Sequence, residues 1–346
     1  CISFYFLNLS TLNIVYIFNF NYLNKKMKLS YQNIPILILG YNRPFHIKKL
    51  ITSLKKIQPK KIYVSLDGSK KNIKDINKCK LVKDEIERIN WNCLIKKNYN
   101  LNNLGCKKSV SNGINWFFKN NNFGIILEDD CIPNLTFFNF CKKINEVHRD
   151  NEKIFAISGS NFFNKKIEGD YFYSKYNHCW GWASWRRAWK HYDNSLSFWN
   201  KWKNSDNWKT FHKNKIERKY WEKIFNELKK GKIDSWAYTW TCSVWKKNGL
   251  TIIPKKNLIK NIGFDINATN SLKDEQKHLK TYSIKFKKNL KGPKNLEPLE
   301  FNDTFVFNNH FQGKYYLWPW IILKVAKLAI LNPKIFFLKT FKGLLS

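Results

Sequence analysis

Three consecutive acids, Glu128-Asp129-Asp130, follow the apolar run FGIIL at residues 123–127. Adjacent carboxylates repel one another, so the trio costs stability unless a cation or several donors neutralise it. A hard divalent ion bridging a diphosphate would do so. Ligands of open α/β sheets bind outside the carboxyl ends of strands, which is where these acids stand. The bland alternative is a turn with a helix cap, because Asp130 precedes Pro133 and a helical stretch. Arg43 is one of only six arginines and follows another apolar run, IPILIL. Its guanidinium offers the fixed fork that a phosphate or a base edge needs. Trp180-Gly181-Trp182, with Trp185 nearby, brings aromatic faces that can stack on sugar C–H surfaces and a glycine that admits close backbone approach. The same residues would also serve as plain core aromatics.

The surrounding charge is extreme. Lys+Arg is 62 against 25 Asp+Glu, a formal net of +37 over 346 residues. Such an excess invites a nucleic-acid or anionic-membrane reading. Nearly all of it is lysine, however, a hydrated point charge without arginine's bidentate geometry. Asn, Ile, Phe and Tyr are abundant beside it, and all five residue types share A/T-rich codons. Most of the charge is therefore read as solvated surface, with no specific nucleic-acid partner. A concentrated acidic spot in such a chain is the more informative feature. Eight cysteines show no CxxC spacing and no zinc-finger histidine pairing, so they read as buried free thiols of a reducing compartment.

The elements that must position these residues are legible. IPILIL (34–39) and KIYVSL (61–66) are short buried strands, and the spacing of Ile47, Leu50, Ile51, Leu54 and Ile57 between them is helical. Strand–helix–strand is the unit of a parallel α/β sheet. Further helices are expected at 74–89, 109–118 and 136–147, and strands at 93–96, 123–127, 154–158 and 250–253. Residues 171–192 are crowded with aromatics and lack clean periodicity, while 199–230 reads as helical. No Gly/Ser/Pro linker and no internal repeat divides the chain. The expected architecture is an α/β, Rossmann-like, mostly parallel sheet flanked by helices, with an irregular aromatic-rich second half and a C-terminal helix.

With these elements in place, the chain resembles the GT-A glycosyltransferases, in particular family-2-like bacterial nucleotide-diphospho-sugar transferases distantly similar to N-acetylglucosaminyltransferase I. The segments that carry the likeness are PILILGYNRPFHIKKLITSL, IYVSLDGSK, NLGCKKSVSNGINWFF, IILEDDCIPNLTFF, ISGSNFF, YNHCWGWASWRRAWKHYD, KIDSWAYTW and GLTIIPKKNLIKNIGFD, in order over roughly residues 33–270. The resemblance implies a metal-dependent transfer of a sugar from a nucleotide diphosphate, a UDP-sugar first of all, to a hydroxyl of a glycan or glycolipid, with inversion. It implies that Tyr41, Asn42 and Arg43 meet the nucleotide and that Asp67 accepts hydrogen bonds from the uracil or ribose. Glu128 and Asp129 would contact the ribose or donor sugar, and Asp130 would bind Mn²⁺ or Mg²⁺. Asp234 is the candidate base that deprotonates the acceptor, with an N-cap as its alternative role and Asp193 and Asp265 in reserve. Relatives place an acid beside the tryptophan where this chain has Ala237, and a late histidine where it has Asn270.

Two other classes compete. A sugar-nucleotide pyrophosphorylase would carry a glycine-rich phosphate loop after the first strand; here the loop Gly40-Tyr41-Asn42-Arg43-Pro44 has a single glycine. A basic nucleic-acid or membrane-surface binding module predicts basic stripes and no acidic trio at a strand end. Residues 1–26 are apolar and aromatic, are interrupted by Asn8, Asn13, Asn19 and Asn21 among others, and precede the only methionine, Met27. They are read first as an untranslated leader, with a signal-anchor helix and a leading strand or helix as the alternatives, ahead of a catalytic domain over 27–270 and an extension over 271–346. Within the extension, Tyr315–Leu331 is apolar with two lysines, and reads either as an interfacial helix or as one packed on the domain. The expected location is the cytoplasm, with peripheral contact at the inner face of the membrane.

Overall fold

The computed structural model describes residues 31–163, 165–264, 280–286, 289–316 and 319–333. The leader, Asp265 and Asn270 lie outside them. Unbroken aliphatic runs, each too short for a helix, become the buried strands. β1 (Ile36–Gly40) is followed by α1 (Pro44–Lys55), β2 (Lys61–Leu66), α2 (Ile73–Glu87), β3 (Leu94–Tyr99), α3 (Cys106–Asn120) and β4 (Phe123–Glu128). Proline at the start of α1 is suited to a position whose N–H has no helical partner. The helix buries Ile47, Leu50, Ile51 and Leu54 against the sheet, as their spacing requires.

The chain continues through β5 (Cys131–Pro133), α4 (Leu135–His148), β6 (Ile154–Ser158), β7 (Tyr171–Ser174) and β8 (Trp182–Trp185). Five helices follow: α5 (Arg186–Trp189), α6 (Trp199–Trp202), α7 (Asp206–Phe211), α8 (Lys215–Lys229) and α9 (Trp236–Lys246). Then come β9 (Leu250–Pro254), β10 (Ile259–Asn261), α10 (Glu300–Asn309), a 3₁₀ turn (Gly313–Tyr316) and α11 (Trp320–Leu331).

Eight strands form one sheet in the order β3-β2-β1-β4-β8-β6-β9-β7. The β3–β2, β2–β1, β1–β4 and β6–β9 pairs are parallel, whereas β8 runs antiparallel to β4 and β6, and β7 antiparallel to β9. Six strands therefore point one way, and the sheet is mostly parallel with helices packed on it. β5 and β10 pair separately, Ile132 opposite Lys260.

Two hydrophobic clusters fill the structure. One is largely aliphatic and is built on Ile36, Ile38, Val64 and Leu127 with α1 and α4. The other is aromatic, with Trp182, Trp189, Trp199, Trp208, Trp221, Trp240 and Trp245 all buried. β7 and β8 belong to the stretch that lacked periodicity. All their side chains are buried on both faces, so no alternation survives to mark them. Residues 199–230, expected as one helical stretch, form three helices. Ser205 and Asn214 cap α7 and α8 with their side-chain oxygens and so divide them.

The described part of the extension is stitched to the sheet. Leu299 N donates to Tyr173 O at 2.8 Å, and Asp303 accepts from Ser174 Oγ at 2.5 Å and from Lys175 N at 3.0 Å. Seven cysteines lie among the described residues, and all are free thiols. Among those residues no helix is long and apolar enough to cross a membrane.

Candidate functional site

The strand order reverses at β1. The chain leaves β1 toward β2 and β3, then returns to pair β4 on the other flank. The carboxyl ends of β1 and β4 thus define a topological switch point, where open α/β sheets bind their ligands. Leu39 is opposite Glu128, so Tyr41-Asn42-Arg43 and Glu128-Asp129-Asp130 leave the sheet side by side.

Arg43 closes on the acids. Its Nη2 and Nε donate to the two oxygens of Asp129, the latter at 3.1 Å, and its Nη1 reaches Asp130 Oδ2 at 3.1 Å. The fork expected to face a phosphate is an internal counter-ion here. It supplies the neutralisation that the acidic trio requires. One guanidinium does not balance three carboxylates. Burial pushes Glu128 up to about 8, with Asp130 and Asp129 adding to the rise and Arg43 opposing it. Burial also acts to raise Asp129, 2% exposed, against the pull of Arg43.

The expected nucleotide contacts at Tyr41 and Asn42 are turned to an acid that the sequence reading missed. Tyr41 Oη and Asn42 Nδ2 both donate to Asp75, the latter at 2.6 Å, and Lys70 N joins them at 2.6 Å. Asp75 stands in the first turn of α2, where Asn72 Oδ1 accepts from Asp75 N at 2.9 Å. The Asn-x-x-Asp spacing ahead of a helix was the available signal.

Asp67 also departs from its expected role. Its Oδ1 accepts from Gly68 N (2.9 Å), Leu104 N (2.9 Å) and Asn100 Nδ2 (3.3 Å); its Oδ2 accepts from Gly105 N and Asn103 Nδ2, both at 3.1 Å. Five protein donors use the carboxylate, which holds the loop 100–105 rather than facing a base or ribose. That loop ends at Gly105, the residue before α3, in the left-handed conformation (φ +81°) that glycine tolerates.

Asp234 comes to the same place from the far half of the chain. A Cβ on Gly105 would lie 3.5 Å from Asp234 Oδ2. The helix-cap role falls to the next residue, since Ser235 Oγ accepts from Tyr238 N at 3.3 Å. Asp234 itself is exposed and accepts no hydrogen bond among the described residues. The reserve Asp193 is committed elsewhere. Burial raises its carboxyl, but hydrogen bonds from Ser197 and Ser195 outweigh this and hold it below the ordinary range.

Cys106, the first residue of α3, stands among these groups. Although the residue is exposed, the protein around its thiol and the charges of Glu128, Asp234 and Asp67 push it up to about 12, with Arg43 opposing. The thiol is therefore neutral. Its surroundings bring residues 43, 67, 128 and 234 into one neighbourhood. A lone cysteine gave no sequence signal for this.

Of the aromatic triplet, Trp182 belongs to the core. It is 1% exposed and stacks on Trp236 at 5.8 Å with 22° between the rings. As the third position of an unbroken WGW run it starts β8, whose side chains are all buried. Trp180 is half-buried at the rim, edge-on to Phe162 (5.0 Å), Phe264 (5.4 Å) and His310 (6.0 Å). Gly181 has φ +60°, and a Cβ there would lie 2.6 Å from Ile259 of β10. Its carbonyl accepts from Gly159 N at 2.8 Å, and Leu258 N donates to Gly159 O at 2.8 Å. Ser158–Asn161 thus links the Trp180 loop to β10. β10 in turn passes to Ile262, whose N donates to Asp130 O at 2.9 Å.

Among the described residues no cluster of three or more His, Cys, Asp and Glu is arranged to hold a metal ion. A hollow of about 750 Å³ beside Trp91, Lys55 and Lys60 lies at the opposite, amino ends of β1–β3 and contains no acid or histidine. The chain matches no protein-family model and no curated protein.

Proposed function

We propose that the protein is a glycosyltransferase of the GT-A type, moving a sugar from a nucleotide diphosphate, UDP-linked first of all, to a hydroxyl of a glycan or glycolipid. The observation that carries this reading is one convergence. Arg43 and Glu128-Asp129-Asp130 pair at the switch point of a mostly parallel sheet, and Asp234, nearly two hundred residues from Arg43, stands against Gly105 at the start of α3, where its charge and those of Glu128 and Arg43 act on the same Cys106 thiol. Fold likeness alone would not support an activity; the chemistry of these groups does.

The acids bear on the implied metal. Three carboxylates face one guanidinium, and burial, with the neighbouring acids adding, raises the Glu128 and Asp129 carboxyls. This hard oxygen set fits a Mg²⁺ or Mn²⁺ ion that arrives with substrate phosphates and keeps several waters, rather than a dedicated protein cage. Asp130 would hold it: its side chain is 16% exposed, and Arg43 binds it through one nitrogen. When bound, such an ion stabilises charge on the departing diphosphate.

The chain's own residues do the rest. Arg43 orients Asp129 and Asp130 and supplies positive charge beside them. Asp67 and Asp75 act as positioning residues for the two loops that frame the site. The first turn of α3 has no side-chain cap, and its amides suit an anion such as the donor diphosphate. Asp234, exposed and unpaired, accepts the proton of the acceptor hydroxyl as the new glycosidic bond forms on the face opposite the leaving group. Trp180 offers an aromatic face at the rim, held by Phe162, Phe264 and His310.

The test is release of UDP from UDP-sugars, and transfer to glycan acceptors, with and without Mn²⁺. The expected result is metal-dependent turnover that Asp130→Ala abolishes while the melting temperature is kept. Unchanged turnover in Asp130→Ala would remove the metal role.

A further inference from the structure

We infer that α11 is a docking element for an anionic lipid surface. The helix Trp320–Leu331 exposes Ile321, Ile322, Leu323, Val325, Ile330 and Leu331, at 41–78% of their surface. Its one substantial neighbour among the described elements is the adjoining 3₁₀ turn. Contiguous apolar surface of this kind marks an interaction site rather than ordinary solvent exposure.

Charge selects the occupant. Beyond Asp303 the sequence holds no acid, and it carries Lys314, Lys324, Lys327, Lys334, Lys339 and Lys342. On a helix, positions 324 and 327 fall about 60° apart on one edge with 331 between them, while 321, 325, 322, 330 and 323 spread over about 200° on the other side. An apolar face with a lysine edge suits an interface in which the ammonium groups reach headgroups and the aliphatic side chains enter the acyl boundary. A second copy of the chain would bring the same lysines and another +37, and would be repelled. Length gives the mode of binding. Twelve residues span about 18 Å, short of the roughly 30 Å hydrocarbon core, so the helix lies in the plane of the interface.

The helix continues from α10 through the 3₁₀ turn, and His310 at the end of α10 touches Phe162 (4.1 Å) and Trp180 (6.0 Å) at the rim of the site. Docking would thus hold the site near the lipid surface, whichever reaction occurs there.

The experiment is co-sedimentation of the full chain with phosphatidylcholine vesicles, with and without phosphatidylglycerol, at low and high salt. The expected result is binding to the anionic vesicles that weakens with salt and falls at least about tenfold in Ile322→Asp/Ile330→Asp. The positions are exposed, so the variant keeps the parent melting temperature. Absence of binding to anionic vesicles at low salt would overturn the inference. So would binding that the double variant leaves unchanged, which would assign it to lysines elsewhere. A dimer by light scattering that the double variant dissolves would assign the helix to a second copy instead. None of these readings requires transferase activity.

Discussion

Asp129 and Asp234 are the same residue in opposite settings. Asp129 is 2% exposed and gripped by a guanidinium on both oxygens, while Asp234 is exposed and accepts no hydrogen bond among the described residues. A buried, paired carboxylate is a fixed charge that shapes a field; an open, unpaired one is free to take a proton. The difference suits the acids at a strand end and the acid before a helix to different parts in the proposed site.

The comparison breaks most forcefully at Arg43. Arg43→Ala leaves Asp129 buried without its counter-ion and is expected to destabilise the fold by about 3–5 kcal/mol, read by denaturant unfolding. On the open side, Asp234→Asn is expected to lower turnover about 10²- to 10⁴-fold while UDP-sugar affinity stays, measured by kinetics beside calorimetry. Surviving turnover would show that another base is at work.

A smaller effect separates the two settings by pH. Glu128, raised to about 8 with Asp129 and Asp130 adding to the effect of burial, holds a proton in the folded state that the unfolded chain has already lost, over the window from its ordinary range up to about 8. Stability therefore falls as pH rises through that window. Buried His212 and His310, both lowered to about 4, oppose this only nearer their ordinary range, so the fall is cleanest from pH 7 to 8.5. The melting temperature is expected to drop over that interval, less so in Asp129→Asn. Least of all, Asp234→Asn is expected to shift stability by no more than about 0.5 kcal/mol, as at other exposed positions.

The first half of the fold was legible because its core is aliphatic and local. IPILIL, KIYVSL and FGIIL became β1, β2 and β4 within two residues of their expected ends. β7 and β8 were not, since a strand made of Tyr, Phe and Trp and buried on both faces carries no alternation. The β5–β10 pair was too short to leave a pattern. In the candidate site, Arg43 pairs with Asp129 and Asp130 across the β1–β4 switch point, and Asp234 stands against Gly105 at the start of α3. What pairs with what was hidden, because hydrogen bonds between residues 43 and 129, or 41 and 75, depend on the return of β4 beside β1 and on the first turn of α2. Asp67 and Trp182 are committed to the protein itself, the one to loop 100–105 and the other to the aromatic core.

Asp67 also carries a consequence for motion. Its carboxylate gathers the amides of Gly68, Leu104 and Gly105 with the side chains of Asn100 and Asn103. Loop 100–105 can open only when these bonds are released together. The three amides should then exchange with deuterium as a unit, at one common rate, and Asp67→Ala should make that unit exchange with the fastest amides of the chain. The approach to the site would open as a single panel rather than fray strand by strand.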